Sequence, residues 1–175
     1  NYPVKSKINL GLDLQGGLYM ILGIDFNKVY LDEIKGYARR MEFVLNDDGI
    51  PAKIGVEDKT EISDPRHSII LTNPADASKA KDRIRQYFGS YLRLTLEDGA
   101  TLQFGMAKVA KTQIEEQSVS KSIEVIRNRI DEFGVTEQEI ISQGNDRIIV
   151  QLPGVKYIEL AKELIINTAK FSFQM

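Results

Sequence analysis

The chain has 175 residues, with 23 basic and 25 acidic side chains interspersed and a formal net charge of -2. That balance excludes the basic footprint of a nucleic-acid binder. The absence of cysteine excludes a disulfide framework and leaves any zinc site to one histidine and carboxylates. A chain this long can bury roughly two-thirds of its unfolded surface, enough for one large domain or two small ones.

The first informative stretch is Ile8 to Gly17, where Gly11, Gly16 and Gly17 surround Asp13. It reads as a loop entering a sheet, with Asp13 and Gln15 bonding to nearby backbone. A phosphate-cradling loop would need Lys and then Ser or Thr after the last glycine, and Leu18 and Tyr19 stand there. Leu18 to Asp25 reads as a buried strand by length and composition. Ile34, Tyr37, Ala38, Met41, Val44 and Leu45 then recur at helical spacing. Gly49 stops that helix and Pro51 follows. Strands are expected at Ala52 to Glu57 and His67 to Thr72, separated by a polar loop from Asp58 to Pro65. Asn73 before Pro74 gives a cap and a first-turn proline for a helix striped by Ala77, Ala80, Ile84, Tyr87 and Phe88. Leu92 to Leu96 alternates like a half-buried strand, Asp98-Gly99 signals a hairpin, and Leu102 to Met106 returns.

The second half repeats the order. Val119, Ile123, Ile126, Ile130 and Phe133 stripe a helix that Gly134 stops. Glu137 to Ser142 and Arg147 to Leu152 are strands around a short turn. Pro153-Gly154 leads into a helix with Ile158, Ala161, Leu164 and Ile165, and Phe171 to Phe173 closes as a strand. Helices are thus expected over about 28–48, 74–90, 109–133 and 155–169. The matching order implies an α+β fold of two ferredoxin-like (βαββαβ) halves, each an antiparallel sheet with helices on one face. Residues 1–17 form an entry segment, 18–106 the first half and 107–175 the second. Alternatively, residues 18–25 pair in the second half and 27–106 are an insertion. The Asp98-Gly99 hairpin favours this exchange, because strands joined by such a turn usually pair.

Few residues point to chemistry. His67 is the only histidine and reads as structural or exposed. Asn46-Asp47-Asp48-Gly49 fails as a calcium loop because Val44 stands where an acid is needed. No nucleophile has a histidine partner by motif, and Asp131-Glu132 points two ways from a helix end. The strands Ser68 to Leu71 and Ile148 to Gln151 lack the interleaved aromatics of an RNA-recognition sheet. Arg127, Asn128, Arg129, Asp146 and Arg147 read first as a solvated helix face and turn, worth under ~1 kcal/mol in ion pairing. No catalytic, cofactor or metal residues are assigned.

No run approaches the ~18 consecutive apolar residues of a membrane helix. The chain opens on Asn1 rather than Met and stops just after an apolar segment, so it is expected to be a piece of a longer protein.

Two separated motifs carry a family resemblance. Leu10-Gly11-Leu12-Asp13-Leu14-Gln15-Gly16-Gly17 is the first; Ile126 to Val135 followed by Gln143 to Gly154 is the second. With Phe171-Ser172-Phe173 they anchor both ends of the chain, while Lys28 to Lys108 carries nothing diagnostic. The chain resembles the SecD family of bacterial protein-export proteins, of the SecDF group within the resistance-nodulation-division superfamily. One departure is that Glu137 is followed by Gln138 where the family usually has proline.

The resemblance implies the base of the first domain on the periplasmic side of the inner membrane, without its mobile head. It implies SecF, the SecYEG channel and a translocating preprotein as partners, with no nucleic acid. The role implied is non-catalytic coupling in export driven by the proton gradient. Gly17, Gly134, Pro153 and Gly154, with Asp13, Gln15, Gly16, Arg127, Asn128, Arg129, Asp146 and Arg147, are the motif positions of interest. A different class of function, a small-molecule regulatory domain of tandem ferredoxin-like type, would predict a polar pocket between the halves.

Overall fold

A computed structural model describes residues 4–5, 11–12, 17–135 and 137–154. In order, the elements are β1 (Val4–Lys5), β2 (Gly11–Leu12), β3 (Leu18–Ile24), α1 (Phe26–Asp47), β4 (Ala52–Asp58), β5 (Arg66–Leu71), α2 (Ala77–Phe88), β6 (Leu92–Asp98), β7 (Thr101–Met106), α3 (Lys108–Glu132), β8 (Glu139–Gln143) and β9 (Arg147–Leu152). A single 3-10 turn, Pro74–Asp76, precedes α2, and Asn73 caps it by accepting from the Ala75 N–H. The chain divides into two compact units, one of Asn1–Phe26 with Ile114–Met175, the other of Asn27–Gln113. Both sheets are antiparallel and accompanied by helices, so the fold is α+β.

In the unit of residues 27–113 the strands lie in the order β4-β5-β7-β6. α1 buries Tyr30, Ile34, Tyr37, Ala38, Met41 and Leu45, the stripe that its apolar spacing predicts. It ends at Gly49, with φ 71°. The Gly49 N–H donates to Asn46 O and the Ile50 N–H to Leu45 O at 2.8 Å, which satisfies the last carbonyls and turns the chain sharply. Asn46 does more than end a helix. Its amide donates to Ala52 O (2.9 Å) and accepts from Ala52 N–H (3.1 Å), so the side chain pairs with β4 as a strand residue would.

The sheet buries Ile69, Leu71, Leu102, Phe104 and Met106. Ile69 sits between Ile54 and Leu102 in the ladders, so apolar residues meet across three strands. Each edge strand carries an irregularity, between Ile54 and Glu57 in β4 and between Leu94 and Leu96 in β6. Such bulges hinder edge-to-edge pairing. In β4, Ser68 Oγ fills the bulge, accepting from Val56 N–H at 2.7 Å and donating to Val56 O at 3.1 Å.

The expected alternation of β6 does not hold. Only Leu92 is buried. Leu94, opposite Phe104 on the edge strand, is 41 % exposed, and beyond it the bulge breaks the pleat and places the exposed Leu96 opposite Gln103.

In the other unit the strand order is β1-β3-β9-β8, and β2 also pairs with β3. β3 pairs antiparallel with β9 from Leu18↔Leu152 to Gly23↔Arg147, and β9 with β8. β3 therefore belongs to the sheet of the C-terminal strands, and β7 completes the other sheet through its hairpin with β6. Although continuously apolar in sequence, β3 buries one face, Leu18, Met20, Leu22 and Ile24, and half-buries the other. The core joins that face to Ile140, Ile148, Val150 and Leu152 and to Ile126, Ile130 and Val135. Phe133, expected on the helix stripe, is 51 % exposed, because α3 ends at Glu132 and the chain has left the helical phase. The expected helix 155–169 and strand 171–173 lie outside the described residues.

Gly134 follows α3 with φ 73°, and a Cβ there would meet nothing within 4 Å. A substitution is therefore penalised by backbone conformation alone. Gly134→Val is expected to cost about 1–3 kcal/mol and Gly134→Asn distinctly less, because Asn tolerates the left-handed region. Urea unfolding of the two variants checks the ranking.

Candidate functional site

The two sequence motifs meet in space. β3 begins at Gly17-Leu18, and its neighbour β9 ends at Leu152, followed by Pro153 and Gly154. A Cβ built on Gly17 would lie 2.8 Å from Leu152 O, 3.6 Å from Pro153 Cα and 3.7 Å from Gly154 N. The last glycine of the first motif is thus packed backbone to backbone against the last three residues of the second. Only a residue without a side chain fits at that separation. Around the junction lies an open cleft of about 440 Å³, lined also by Tyr19, Glu137, Gln138, Glu139 and Gln151.

The other motif residues go elsewhere. Asp146 and Arg147 occupy the opposite end of β9, roughly 17 Å away at strand rise. There Asp146 O accepts from Ile24 N–H at 2.8 Å and anchors the far end of β3. The Asp146 carboxylate and Arg147 Nε stand 3.6 Å apart on an exposed surface, a pair of little energetic weight. Arg127 and Asn128 lie exposed on α3 and Arg129 half-buried. Gly134 terminates α3, and the chain continues through the buried Val135 toward the cleft. Gln138, in the place where the family resemblance expects proline, donates to the Asp131 carboxylate in the last turn of α3. A side-chain tether thus stands where ring stiffness was expected. Asp13, Gln15 and Gly16 lie outside the described residues.

The cleft offers two exposed carboxylates, two amides and main-chain groups. Among the described residues no group of three or more His, Asp or Glu is placed to hold a metal. His67 is buried, with Nδ1 3.2 Å from Ser68 O.

The strongest electrostatic feature lies in the unit of residues 27–113, in the loop that read as a plain polar spacer. Asp64 is buried and takes Lys111 Nζ at 2.7 Å, the Arg93 guanidinium in a close contact, and Arg66 at 3.5 Å. Lys111 also donates to Ser63 O at 2.9 Å and lies 5.2 Å from the Tyr30 ring. Arg93 Nε donates to Met106 O at 3.2 Å. One carboxylate thereby fastens the β4–β5 loop to β6 and to the first turn of α3. Burial pushes its pKa up, but the hydrogen bonds and charges of Lys111 and Arg93 outweigh this and hold it below the ordinary carboxylate value. In sequence the only signal was an acid before a proline, Asp64-Pro65, which marks a turn and says nothing about distant cations.

Comparison with known proteins agrees with the motifs. Residues 119–175 match the family described as protein translocase subunit SecDF, P1 domain, N-terminal. The chain is 32% identical over 175 residues to protein translocase subunit SecD of Calditerrivibrio nitroreducens, an alignment covering 99% of this chain and 33% of that protein. It is 32% identical over 174 residues to SecD of Desulfurispirillum indicum, covering 99% and 32%. Against SecD of Syntrophobacter fumaroxidans the identity is 34% over 180 residues, covering 98% and 32%. No solved structure matches. The chain is a P1-type domain of the SecDF translocase subunits. It belongs to the SecD family and spans about a third of the length of the curated relatives it matches.

Two outcomes follow from this geometry. Gly17→Ala forces its Cβ against Leu152 O and is expected to destabilise the chain by about 1–3 kcal/mol in urea unfolding. Asp64→Asn is expected to cost about 1.5–3 kcal/mol at neutral pH, through lost charge-assisted hydrogen bonds. The folded pKa of Asp64 is depressed, so its contribution is fully present above the unfolded value of about 3.9 and is lost as pH falls through the folded value. The gap between wild type and variant should therefore shrink below about pH 4. Asp58, also lowered through its hydrogen bonds from Thr60, is common to both proteins and cancels. A gap constant with pH would contradict the assignment.

Proposed function

We propose that this chain is the base of the P1 region of a Sec translocase accessory subunit, a part that transmits movement and carries out no chemistry itself. In this reading it works on the periplasmic side of the bacterial inner membrane beside SecF and the SecYEG channel. There it assists preprotein export driven by the proton gradient. The names and coverage of the SecD relatives support export over metabolite sensing. The observation that carries the mechanical part is the side-chain-free junction of Gly17 with Leu152, Pro153 and Gly154. It couples the glycine motif directly to the end of a central strand, so that displacement of one displaces the other.

The same reading treats the unit built on β3, α3, β8 and β9 as ferredoxin-like in its strand-helix-strand-strand order. Residues 27–106 are then an insertion between its first strand, β3, and its first helix, α3. The order β4-β5-β7-β6 supports a permuted copy of the same fold, in which β7 takes the place of the first strand.

The test uses the full-length protein in inverted membrane vesicles, with an imposed proton gradient and a preprotein substrate. Asp13→Ala combined with Gln15→Ala adds no bulk and is expected to impair gradient-stimulated translocation while leaving melting of the purified domain unchanged. Gly16→Val combined with Gly17→Val is expected to impair it further. Normal translocation by both correctly inserted variants overturns the coupling role.

A further inference from the structure

The unit of residues 27–113 carries a second surface that coupling through the glycine motif does not use. α1 and α2 leave an open groove of about 560 Å³ between them. Phe88, which lines it with Tyr87, belongs to a packed aromatic cluster. The Tyr37 ring meets Phe88 edge-on, with centroids 6.1 Å apart at 82°, and stacks on Tyr91 at 5.8 Å and 26°. Phe88 in turn meets Tyr87 at 6.3 Å. The Arg40 guanidinium lies 4.4 Å over the Tyr37 ring. Each ring is braced by the next, so the groove needs little rearrangement to accept a partner.

Two features point to what would fill it. Phe43 is 71 % exposed and Tyr87 49 %, both beside the groove and neither needed by the core. Burying an exposed aromatic side chain is favourable, and these rings forgo that burial in the free chain. The charged residues lining the groove are Arg39 and Arg40, and no carboxylate lines it. Neither arginine makes an ion pair among the described residues. In a chain whose net charge is -2, a groove with unpaired cations only is complementary to an anionic apolar ligand. Its concave form between two helices suits a side chain inserted from a polypeptide better than a flat lipid surface.

We propose that the α1–α2 groove binds a polypeptide segment presenting an apolar side chain next to a carboxylate. The apolar group seats on the Tyr87 and Phe88 rings, Phe43 folds against it, and Arg39 and Arg40 take the carboxylate. The groove lies wholly within residues 27–113, so its occupancy stands or falls separately from gradient-driven export.

Fluorescence anisotropy on the purified chain tests this with two labelled peptides of about twelve residues, three helical turns. One has Phe and Leu flanked by Glu and Asp, and the other has Lys in place of every acid. Phosphatidylglycerol vesicles are a third probe. The acidic peptide is expected to bind, the Lys peptide at least about tenfold more weakly, and Phe43→Ser and Arg39→Gln each to weaken acidic-peptide binding about tenfold. Both substituted side chains are exposed, and a melting curve confirms the fold. If Phe43→Ser lowers the melting temperature, Arg39→Gln alone decides. Equal binding of the two peptides, binding insensitive to Arg39→Gln, or binding to vesicles and to neither peptide overturns the proposal.

Discussion

From Leu18 to Gly23 the chain pairs with a strand that it reaches only after the whole of the compact unit of residues 27–113 and helix α3. This ladder closes at both ends, by Gly17 against Leu152 and by Ile24 N–H on Asp146 O. It holds together the core of Met20, Ile130, Ile148 and Val150, all at or below 1 % exposure. Without it α3 and the β8–β9 hairpin would have half a core. Loop-closure entropy grows only slowly with loop length, and an intervening segment with its own core adds less disorder than a flexible loop of equal length. A large segment can therefore sit between two paired strands at modest cost.

Both units stop a helix on a positive-φ glycine, but they fix their strand and loop contacts with different chemistry. In the unit of residues 27–113, polar side chains act as main-chain surrogates. Asn46 pairs with Ala52, Ser68 plugs the β4 bulge, and Glu42 accepts from Ile54 N–H at 2.9 Å. Asp64 extends this to charge, with one buried carboxylate satisfying donors from β6 and α3. A buried acid is costly unless paired and hydrogen-bonded, and here the pairing fixes an otherwise irregular loop. In the other unit the corresponding device is the absence of side chains, with main chain packed on main chain at Gly17. The first kind of device tolerates small movements of long side chains. The second does not, which is why the glycine junction is the better candidate for transmitting displacement.

Periodicity and punctuation determined much of this protein by themselves. The stripe from Ile34 to Leu45 specified α1, and Gly49 and Gly134 specified where two helices stop, because a positive φ is cheap only for glycine. Asp98-Gly99 specified a hairpin and so the pairing of β6 with β7. The two glycine- and proline-bearing motifs were enough to point to the SecD family. These are all short-range signals, set within a few residues of where they are read. What tertiary structure alone decided is long-range. The exposure of Leu96 and Phe133 depends on a bulge and a helix end that shift the side-chain phase. The meeting of Gly17 with Pro153 and Gly154, the convergence of Arg93 and Lys111 on Asp64, and the bare aromatic groove between α1 and α2 depend on which segments the ladders and the core bring together. No residue carries a local mark of a partner that lies dozens of positions away, because that choice is made by collective packing.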